Sequence, residues 1–329
     1  MQNKITAAIT GVGGYVPDYR LTNKELETMV ETNNEWIVSR TGIKERRILK
    51  EKGAGTSFMA IRAAISLLES TKIDPKTIDL LIVATATPDV MAASTAVYTA
   101  SEIGATNAFA FDLDAACSSF LYGMSIAARY IESGHYKRVV LIGADKCSSM
   151  MDYEDRATCI IFGDGAGAVL FEPSTEGLGV QDEYLRSDGT GREFLQAKLG
   201  SSYPPTVDSI ANRTHFVQQD GKTVFKTAVS MMALSVDTIL KRSNLDVDAV
   251  QWLAAHQANK RIIDMTAQRV GIPAEKALVN IEKYGNTTSA TLPLLLWDFE
   301  NQFKKGDKII FVTFGGGFTW GSIYLTWAY

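Results

Sequence analysis

The two halves of this chain carry the same order of sequence patterns, separated by a nearly constant offset in residue number. The turn "KIDPKT" and the apolar run that starts at Ile78 resemble "SNLDVD" and the run that starts at Val250, at an offset of 172. A second pair of apolar runs places Val139 opposite Ile309 at an offset of 170, and "NAFAFDLDAAC" matches "KALVNIEKYGN" at an offset of 169. Three matches with nearly equal offsets predict that one structural unit has been duplicated.

Short β-branched runs alternate with amphipathic segments along both halves, which predicts an α/β fold with largely buried sheets. The duplication predicts one unit over residues 1–174 and a second over residues 175–329. The run "NAFAF" has the composition of a buried strand, and the segment after Cys117 predicts a helix that closes with Gly134. Residues 22–25, "TNKE", are typical of a capping box that opens the first clear helix.

Composition excludes several classes of protein. A formal net charge of -4 provides no basic field for nucleic acid or anionic membrane. Three cysteines without a C-x-x-C pair argue for a reducing compartment, and three scattered histidines disfavour a zinc site. Glycines break the start of the sequence, unlike a signal peptide, and no run approaches the roughly 20 apolar residues of a membrane helix. We therefore expect a soluble cytoplasmic protein.

Cys117 is predicted to lie where a strand passes into a helix. The unpaired N–H groups and the dipole of a helix N-terminus lower the pKa of a thiol, which makes it a nucleophile. Cysteine is also among the most often buried residue types, and we accept that interpretation for Cys147 and Cys159. For Cys117 the junction, together with a duplicated partner position at Asn286, favours the nucleophile.

Two further polar residues are candidates for the same site. His256 follows an apolar strand in "AAHQANKR", and Asn286 lies in "KYGNTTSATLP". A histidine in such a place is more often a satisfied structural group, and Gly-Asn-Thr is common turn chemistry. Because ligands gather beyond the carboxyl ends of strands in α/β sheets, both residues and Cys117 are expected to meet at the centre.

The glycine-rich segments argue against a nucleotide-binding protein. In "GVGGYV", Val16 stands where the third glycine of a dinucleotide fingerprint belongs. "FGDGAGAVLFE" leads into a strand and not a helix, so its glycines indicate close backbone packing. The segment "TFGGGFTWGS" at 313–322 lies between two predicted strands and can bring a backbone N–H near a reacting oxygen.

Four segments are together similar to the motifs of the β-ketoacyl-acyl carrier protein synthase III family: "DLDAACSSFLYG", "AAHQANKRII", "YGNTTSATLPL" and "FGGGFTWG". "NNEWIVSRTGIKERR" and "DRATCIIFGDGAGA" also match, so the resemblance covers essentially the whole chain in order. The resemblance implies the thiolase-like fold, in which two duplicated αβα halves form a five-layered αβαβα body, in a homodimer. It implies no cofactor beyond a coenzyme A thioester as substrate, and no metal.

The resemblance also implies a role for each site residue. Cys117 takes the acyl group of an acyl-CoA primer, and His256 and Asn286 hold the thioester oxygen of malonyl-acyl carrier protein during loss of carbon dioxide. Gly316 completes an oxyanion hole with the N–H of Cys117. Trp36 is alternatively an ordinary core tryptophan. The remaining residues are expected to contact coenzyme A (Thr32, Trp36, Arg40, Arg156, Phe225 and Asn259) or the acidic carrier protein (Lys260, Arg261 and Arg269).

Two departures from the family pattern bear on the primer. Ala92-Ala93 stands where many members have Phe-Pro, and the family's phenylalanine closes the partner subunit's acyl pocket. Met91 is expected to line that pocket with Ala92, and Ser119 replaces a common glycine. The primer and the pathway therefore stay open.

Other classes of protein fit the motifs less well. Papain-like proteases share the order Cys, His, Asn but need a C-G-S-C-W type context, which is missing. Plant-type polyketide synthases end in a different glycine loop, and hydroxymethylglutaryl synthases need an added Glu acid. An acyltransferase or a non-catalytic acyl-binding scaffold in a secondary-metabolite pathway is the alternative function.

Overall fold

A computed structural model describes residues 5–329 of the chain. Thirteen strands are described: β1 (Thr6–Tyr15), β2 (Arg20–Thr22), β3 (Glu45–Arg47), β4 (Leu80–Ala84), β5 (Phe109–Leu113), β6 (Val139–Lys146), β7 (Asp164–Ser174), β8 (Gly179–Ser187), β9 (Leu195–Ala197), β10 (Val217–Gln219), β11 (Trp252–Ala255), β12 (Lys308–Gly315) and β13 (Thr319–Thr326). Eleven α-helices are described: α1 (Asn23–Leu26), α2 (Asn34–Thr41), α3 (Thr56–Thr71), α4 (Thr95–Glu102), α5 (Ser119–Glu132), α6 (Arg156–Cys159), α7 (Val207–Ala211), α8 (Gly221–Arg242), α9 (Lys260–Val270), α10 (Ile281–Tyr284) and α11 (Thr291–Phe299).

Two large sheets share one topology over four strands. The first has the strand order β1-β7-β6-β4-β5, and the second has the order β8-β13-β12-β11. In each, the last two of the shared strands are parallel: Leu80 pairs with Val139, and Trp252 pairs with Ile309. Leu80 and Trp252 differ in number by 172, and Val139 and Ile309 by 170, which are the offsets of two of the sequence matches. All strands of the first sheet precede those of the second, and the connection between the sheets runs from β7 to β8.

The helices and sheets form five layers. Helices α5 and α11 lie between the two sheets, in a core that contains side chains from both sheets. Helices α3 and α4 cover the outer face of the first sheet, and α8 and α9 cover the outer face of the second. The predicted α/β fold is therefore confirmed, because every apolar sheet face is buried under helices.

Helix α8 departs from the sequence prediction. It is the one helix within residues 5–329 that is long and apolar enough, by length and composition, to span a membrane. The expectation that no run approaches this length was wrong. The helix packs against the second sheet, where residues such as Val229, Met232 and Val236 belong to the core.

Two local predictions also differ from the structure. Strand β5, expected to be buried, is the edge of the first sheet, and Phe109 is 42% exposed. Thr22 caps a helix of only four residues by accepting from the N–H of Glu25. The Glu25 carboxylate accepts from the Tyr19 hydroxyl and not from the backbone N–H of Thr22, so the predicted capping box does not form.

Two glycine-rich segments serve packing. "GVGGYV" belongs to β1, where a side chain at Gly13 would meet the backbone of α3 at Leu67. In β7, a side chain at Gly167 would meet Pro293 of α11 at 2.7 Å. These strands need glycine because helices approach them closely on the inner and outer faces.

Candidate active site

A cavity of about 1070 Å³ lies at the carboxyl ends of the strands, and Cys117, His256 and Asn286 all line it. Cys117 follows β5, and His256 directly follows β11. Asn286 lies in the loop between α10 and α11. Because the sheets are built from related topologies, their strand ends converge on one central space. The structure therefore brings together the three residues that sequence reasoning grouped.

Cys117 lies in a single 3-10 turn, Ala116–Ser118, directly before α5. Its side chain is buried, with 7% of the residue exposed. Burial raises the pKa of the thiol to about 12, with a smaller contribution from Asp145 in the same direction. The backbone N–H of Cys117 lowers the pKa but is outweighed. The N–H at the start of the helix therefore acts in the expected direction, but the net pKa is raised, because burial costs the thiolate more than this N–H returns.

His256 is almost fully buried, at 1% exposure. Its Nδ1 lies 2.7 Å from the Oγ1 of Thr291, and its backbone N–H donates to the carbonyl of Val312. Burial lowers the pKa of the imidazole to about 3, so the ring is neutral at physiological pH. With Nδ1 held by the protein, Nε2 is the ring nitrogen left to the cavity.

The side-chain amide of Asn286 has a fixed orientation. Its Oδ1 accepts from the backbone N–H of Thr288 at 2.8 Å, so the Nδ2 donors are left to the cavity. The backbone of Asn286 is held on both sides, by the carbonyl of Ile161 and by the N–H of Gly163. His256 and Asn286 thus present nitrogen atoms to the space beside Cys117.

The structural counterpart of Cys117 in the second half is Ser289, not Asn286. Ala116 and Thr288 have the same left-handed backbone, with φ of +49° and +47°. Each opens a 3-10 turn that leads into α5 or α11. The offset between Cys117 and Ser289 is therefore 172, as in the first sequence match. The expected equivalence of Cys117 and Asn286 was wrong because the loop before Asn286 differs in length.

A buried carboxylate, Asp145 at the end of β6, ties the two halves of the site together. It accepts hydrogen bonds from five donors: Thr85 Oγ1, Ala86 N, Thr87 Oγ1, Thr288 Oγ1 and Ser289 N. Three donors follow β4 and two precede α11. Sequence reasoning missed Asp145, although a polar residue at the end of an apolar strand was a usable signal.

The glycine segment after β12 reaches the nucleophile. A side chain at Gly315 would meet the backbone nitrogen of Cys117 at 2.8 Å, so only glycine permits this approach. Gly316 follows and lines the cavity. The Oγ1 of Thr319 donates across the turn to the carbonyl of Ala115, 2.9 Å away, and fixes the segment against the cysteine turn.

The six residues expected to contact coenzyme A fall into two groups. Phe225 and Asn259 line the cavity, and Thr32, Trp36, Arg40 and Arg156 lie outside its lining. The Asn259 side chain caps α9 at Arg261 N and donates to the carbonyl of Arg40, so it also joins α9 to α2.

Trp36 and Arg156 face each other outside the cavity. The guanidinium carbon of Arg156 lies 5.0 Å from the centre of the Trp36 ring. A base stacked between them needs about 7 Å, twice a normal contact distance, so the two side chains must part to admit one. Next to them, the buried Oγ1 of Thr32 has no hydrogen-bond partner among residues 5–329.

The segment after β4 also lines the cavity. Met91 lines it although 83% of the residue is exposed, and Ala92 does not line it. Ala92 has φ of +71° and is exposed. Sequence reasoning missed the other lining residues on this side: Ser149, Met150, Ile161, Phe162, Leu195, Leu199, Pro204, Pro205, His215 and Val217. Ile161 and Phe162 lie in the quoted segment "DRATCIIFGDGAGA", Leu195 and Val217 lie in β9 and β10, and the others lie in segments between the motifs.

The three basic residues predicted as a carrier-protein patch lie on α9. Lys260 pairs with Asp264 at 2.7 Å, and the Arg261 guanidinium lies 5.1 Å from the centre of the Phe225 ring. Arg269 donates to the hydroxyl of Ser230 at 3.3 Å. All three are exposed.

Comparisons with known proteins cover the whole chain. Residues 111–189 match the family described as 3-oxoacyl-[acyl-carrier-protein] synthase III, and residues 240–327 match its C-terminal part. The chain is 55% identical over 327 residues to β-ketoacyl-[acyl-carrier-protein] synthase III 2 of Bacteroides thetaiotaomicron, covering 99% of this chain and 98% of the relative.

Solved structures give the same result. The crystal structure of 3-oxoacyl-[acyl-carrier-protein] synthase III from Aquifex aeolicus is 39% identical, with a TM-score of 0.91 over 98% of this chain and 100% of that one. The priming β-ketosynthase from the R1128 polyketide pathway is 32% identical, with a TM-score of 0.92 over 100% of this chain and 98% of that one.

Proposed function

This chain belongs to the 3-oxoacyl-[acyl-carrier-protein] synthase III family, and from that premise we propose how its residues divide the reaction. The enzyme is an acyltransferase that joins an acyl primer to a malonyl unit with loss of carbon dioxide. The product, a 3-oxoacyl-acyl carrier protein, starts a fatty acid chain. The observation that carries our assignment is the convergence of Cys117, His256 and Asn286 on one buried cavity.

In the first half-reaction, Cys117 attacks the thioester carbonyl of an acyl-CoA primer. A bond forms between Sγ and the acyl carbon, the bond to the coenzyme sulfur breaks, and the thiol proton ends on the released coenzyme. The N–H groups of Cys117 and Gly316 stabilise the oxyanion that forms on the way, as preorganised donors. No step requires a redox cofactor or a metal.

In the second half-reaction, malonyl-acyl carrier protein replaces the coenzyme. Its carboxylate leaves as carbon dioxide, and the electron pair becomes an enolate on the thioester. His256 Nε2 and Asn286 Nδ2 donate to the enolate oxygen, where the charge develops. The enolate carbon then attacks the acyl group, and Cys117 leaves and is protonated. An amide suits position 286 because a carboxylate would repel the enolate.

The coenzyme and the carrier protein approach from the side of α2 and α9. Trp36 and Arg156 stack on the adenine after parting, and Thr32, Arg40, Phe225 and Asn259 contact the rest of the coenzyme. The unpartnered Thr32 hydroxyl supports this assignment. Lys260, Arg261 and Arg269 attract an acidic carrier protein, with Lys260 partly neutralised by Asp264.

The working enzyme is a cytoplasmic homodimer. Strand β5 is a sheet edge, which offers unpaired backbone groups to a second copy. Large apolar side chains are exposed on β5 itself, on α4, which contacts β5, and in the segment before α4: Phe109, Val97, Tyr98 and Met91. An apolar patch of this kind next to a free edge supports a protein interface.

A role in a secondary-metabolite pathway is the second candidate, because a polyketide priming enzyme has the same fold at 32% identity. In such a role this chain would use the same three residues and differ in its primer. A non-catalytic acyl-binding scaffold is disfavoured by the two oriented donors beside the thiol.

The division of roles is tested with Cys117→Ala, His256→Ala and Asn286→Ala. Mass spectrometry after incubation with a panel of acyl-CoA thioesters should place the acyl group on Cys117 alone, and Cys117→Ala should abolish labelling while the protein stays folded. His256→Ala and Asn286→Ala should still be acylated but lose about 10²–10³ in decarboxylation rate. Acylation of Cys147 or Cys159, or loss of acylation with decarboxylation retained, would contradict the assignment.

A further inference from the structure

His256 is neutral at physiological pH, so its chemistry depends on which ring nitrogen carries the single proton. One protein side chain touches the ring nitrogens among residues 5–329: Thr291 Oγ1 lies 2.7 Å from Nδ1. The other nitrogen, Nε2, is the one that the proposed function uses as a donor. Whether Nδ1 donates or accepts in this contact therefore determines whether Nε2 carries the proton.

The Thr291 hydroxyl has two possible acceptors and one hydrogen. Its Oγ1 lies 2.7 Å from His256 Nδ1 and 3.0 Å from the carbonyl oxygen of Thr288. If the hydroxyl donates to Thr288, Nδ1 must carry the proton and Nε2 faces the cavity as a bare lone pair. If it donates to Nδ1, the proton is on Nε2. The two arrangements exclude each other.

We infer that Thr291 is a positioning residue whose hydroxyl donates to Nδ1 and so holds His256 in the Nε2–H form. This inference rests on the proposed function, which needs a donor at the enolate oxygen. The Nδ1 contact is also the shorter of the two. Thr291 is 2% exposed and opens α11, and its β-branched side chain has few rotamers, so the hydroxyl is held in place.

Thr288 links the hydrogen bond between Thr291 and His256 to the side chain of Asn286. Its N–H holds the Asn286 oxygen, and its carbonyl is the competing acceptor for Thr291. Its own hydroxyl is bound to Asp145. The turn before α11 therefore orients both donors of the second half-reaction.

The tautomer is measured directly on the folded enzyme labelled with ¹⁵N-histidine. The chain has three histidines, and His256→Ala identifies the signals of His256. We expect a protonated Nε2 and an unprotonated Nδ1 in the wild type. Thr291→Val should reduce the Nε2–H fraction, and Thr291→Ser should restore it.

Kinetics provide the second readout. Thr291→Val should lower the rate of decarboxylation of malonyl-acyl carrier protein by about ten- to a hundredfold. This loss is smaller than the loss of about 10²–10³ expected when a donor is removed altogether. It should change acylation by less than twofold, and Thr291→Ser should recover most of the rate. Thr99→Val is the matched control, since Thr99 is a buried helical threonine whose hydroxyl has no partner among residues 5–329.

A wild type with the proton on Nδ1 would overturn the inference, and so would a Thr291→Val enzyme with unchanged tautomer and rate. Failure of the proposed function itself looks different. In that case His256→Ala would decarboxylate at the wild-type rate, whatever tautomer the spectra report.

Discussion

Burial dominates the chemistry of the individual site residues. It raises the pKa of the Cys117 thiol and lowers the pKa of the His256 imidazole, so both are neutral in the resting site. A cysteine activated by a helix alone has a pKa below its usual value of about 8.5. The resting enzyme therefore keeps a thiol, which protects the nucleophile until a thioester enters.

This predicts an unusual pH dependence for alkylation of Cys117 by iodoacetamide. Only the thiolate reacts, and with a pKa of about 12 its fraction grows about tenfold per pH unit throughout pH 7–10. We expect a log-linear rise with no plateau near pH 8.5. Free cysteine is the control for the reagent, and Cys117→Ala identifies the modified site. A plateau below pH 9 would contradict this prediction, because it would mean that the helix N-terminus lowers the pKa by more than burial raises it.

For individual residues, the sequence identifies the groups that react but not the contacts by which other residues hold them in place. Cys117, His256 and Asn286 were recognisable because motifs surround them. Asp145, Thr288 and Thr291 act through hydrogen bonds between residues far apart in the chain, or through local backbone geometry. No periodicity in one sequence reports those contacts.

Among the secondary-structure elements, a buried arginine holds together the segments that carry Trp36 and Arg156, the two residues of the proposed coenzyme clamp. Arg46 in β3 is fully buried. It donates to Leu21 O at 3.1 Å and Asn23 Oδ1 at 2.9 Å on one side, and to Ile160 O at 2.6 Å on the other. The first side leads into α2 with Trp36, and the second is the end of α6 with Arg156. Burial lowers the pKa of Arg46 to about 10, which still leaves a cation at neutral pH.

Arg46→Lys should loosen this clamp, because an ammonium lacks the planar fork that reaches both sides. We expect KM for acyl-CoA to rise about tenfold, with little change in the rate at which preacylated enzyme consumes malonyl-acyl carrier protein. Arg20→Lys is the control on the neighbouring strand, since Arg20 is exposed and its side chain forms a surface pair with Glu45. Equal losses in both half-reactions would indicate general destabilisation instead.

The elements themselves were largely predictable. Apolar runs gave the central strands of both sheets, and their offsets gave the correspondence between the halves, which agrees with the parallel pairing of Leu80 with Val139 and of Trp252 with Ile309. The position of β5 was not predictable, because an apolar run does not show whether its strand lies at the centre or at the edge of a sheet. The alignment of Asn286 failed for a related reason: loop length is not encoded in periodicity.

For the whole molecule, exposed apolar side chains are found both in the cavity lining, at Met91, and on the edge strand β5, at Phe109. Met91 and Phe109 are both exposed apolar residues, and we propose that a second copy covers them. Light scattering should give about twice the 35.9 kDa of one chain. Tyr98→Glu, in the middle of the patch, should shift the enzyme toward the monomer and lower its activity, whereas a stable wild-type monomer would contradict the proposed dimer.

The last prediction concerns the primer, whose pocket we propose is completed across that interface. The cavity of about 1070 Å³ is at the upper end for small-molecule sites, and neither Met91 nor Tyr98 folds inward to fill it. With alanine in place of a phenylalanine wall, we expect the wild type to prefer branched or longer primers over acetyl-CoA. Each added buried methylene contributes ~0.8 kcal/mol, about fourfold in kcat/KM.

Ala92→Phe should reverse that preference when kcat/KM is compared for acetyl-, isobutyryl-, isovaleryl-, hexanoyl- and octanoyl-CoA. Ala92 already carries a Cβ at φ of +71°, so phenylalanine adds volume without a new backbone penalty of this kind. Ala92→Gly is the matched control, because glycine adopts a positive φ without strain and adds no side chain to the pocket. A wild type restricted to acetyl-CoA and unchanged by Ala92→Phe would show that position 92 does not set the primer, and the wall would then have to come from the loop around Leu199 and Pro204.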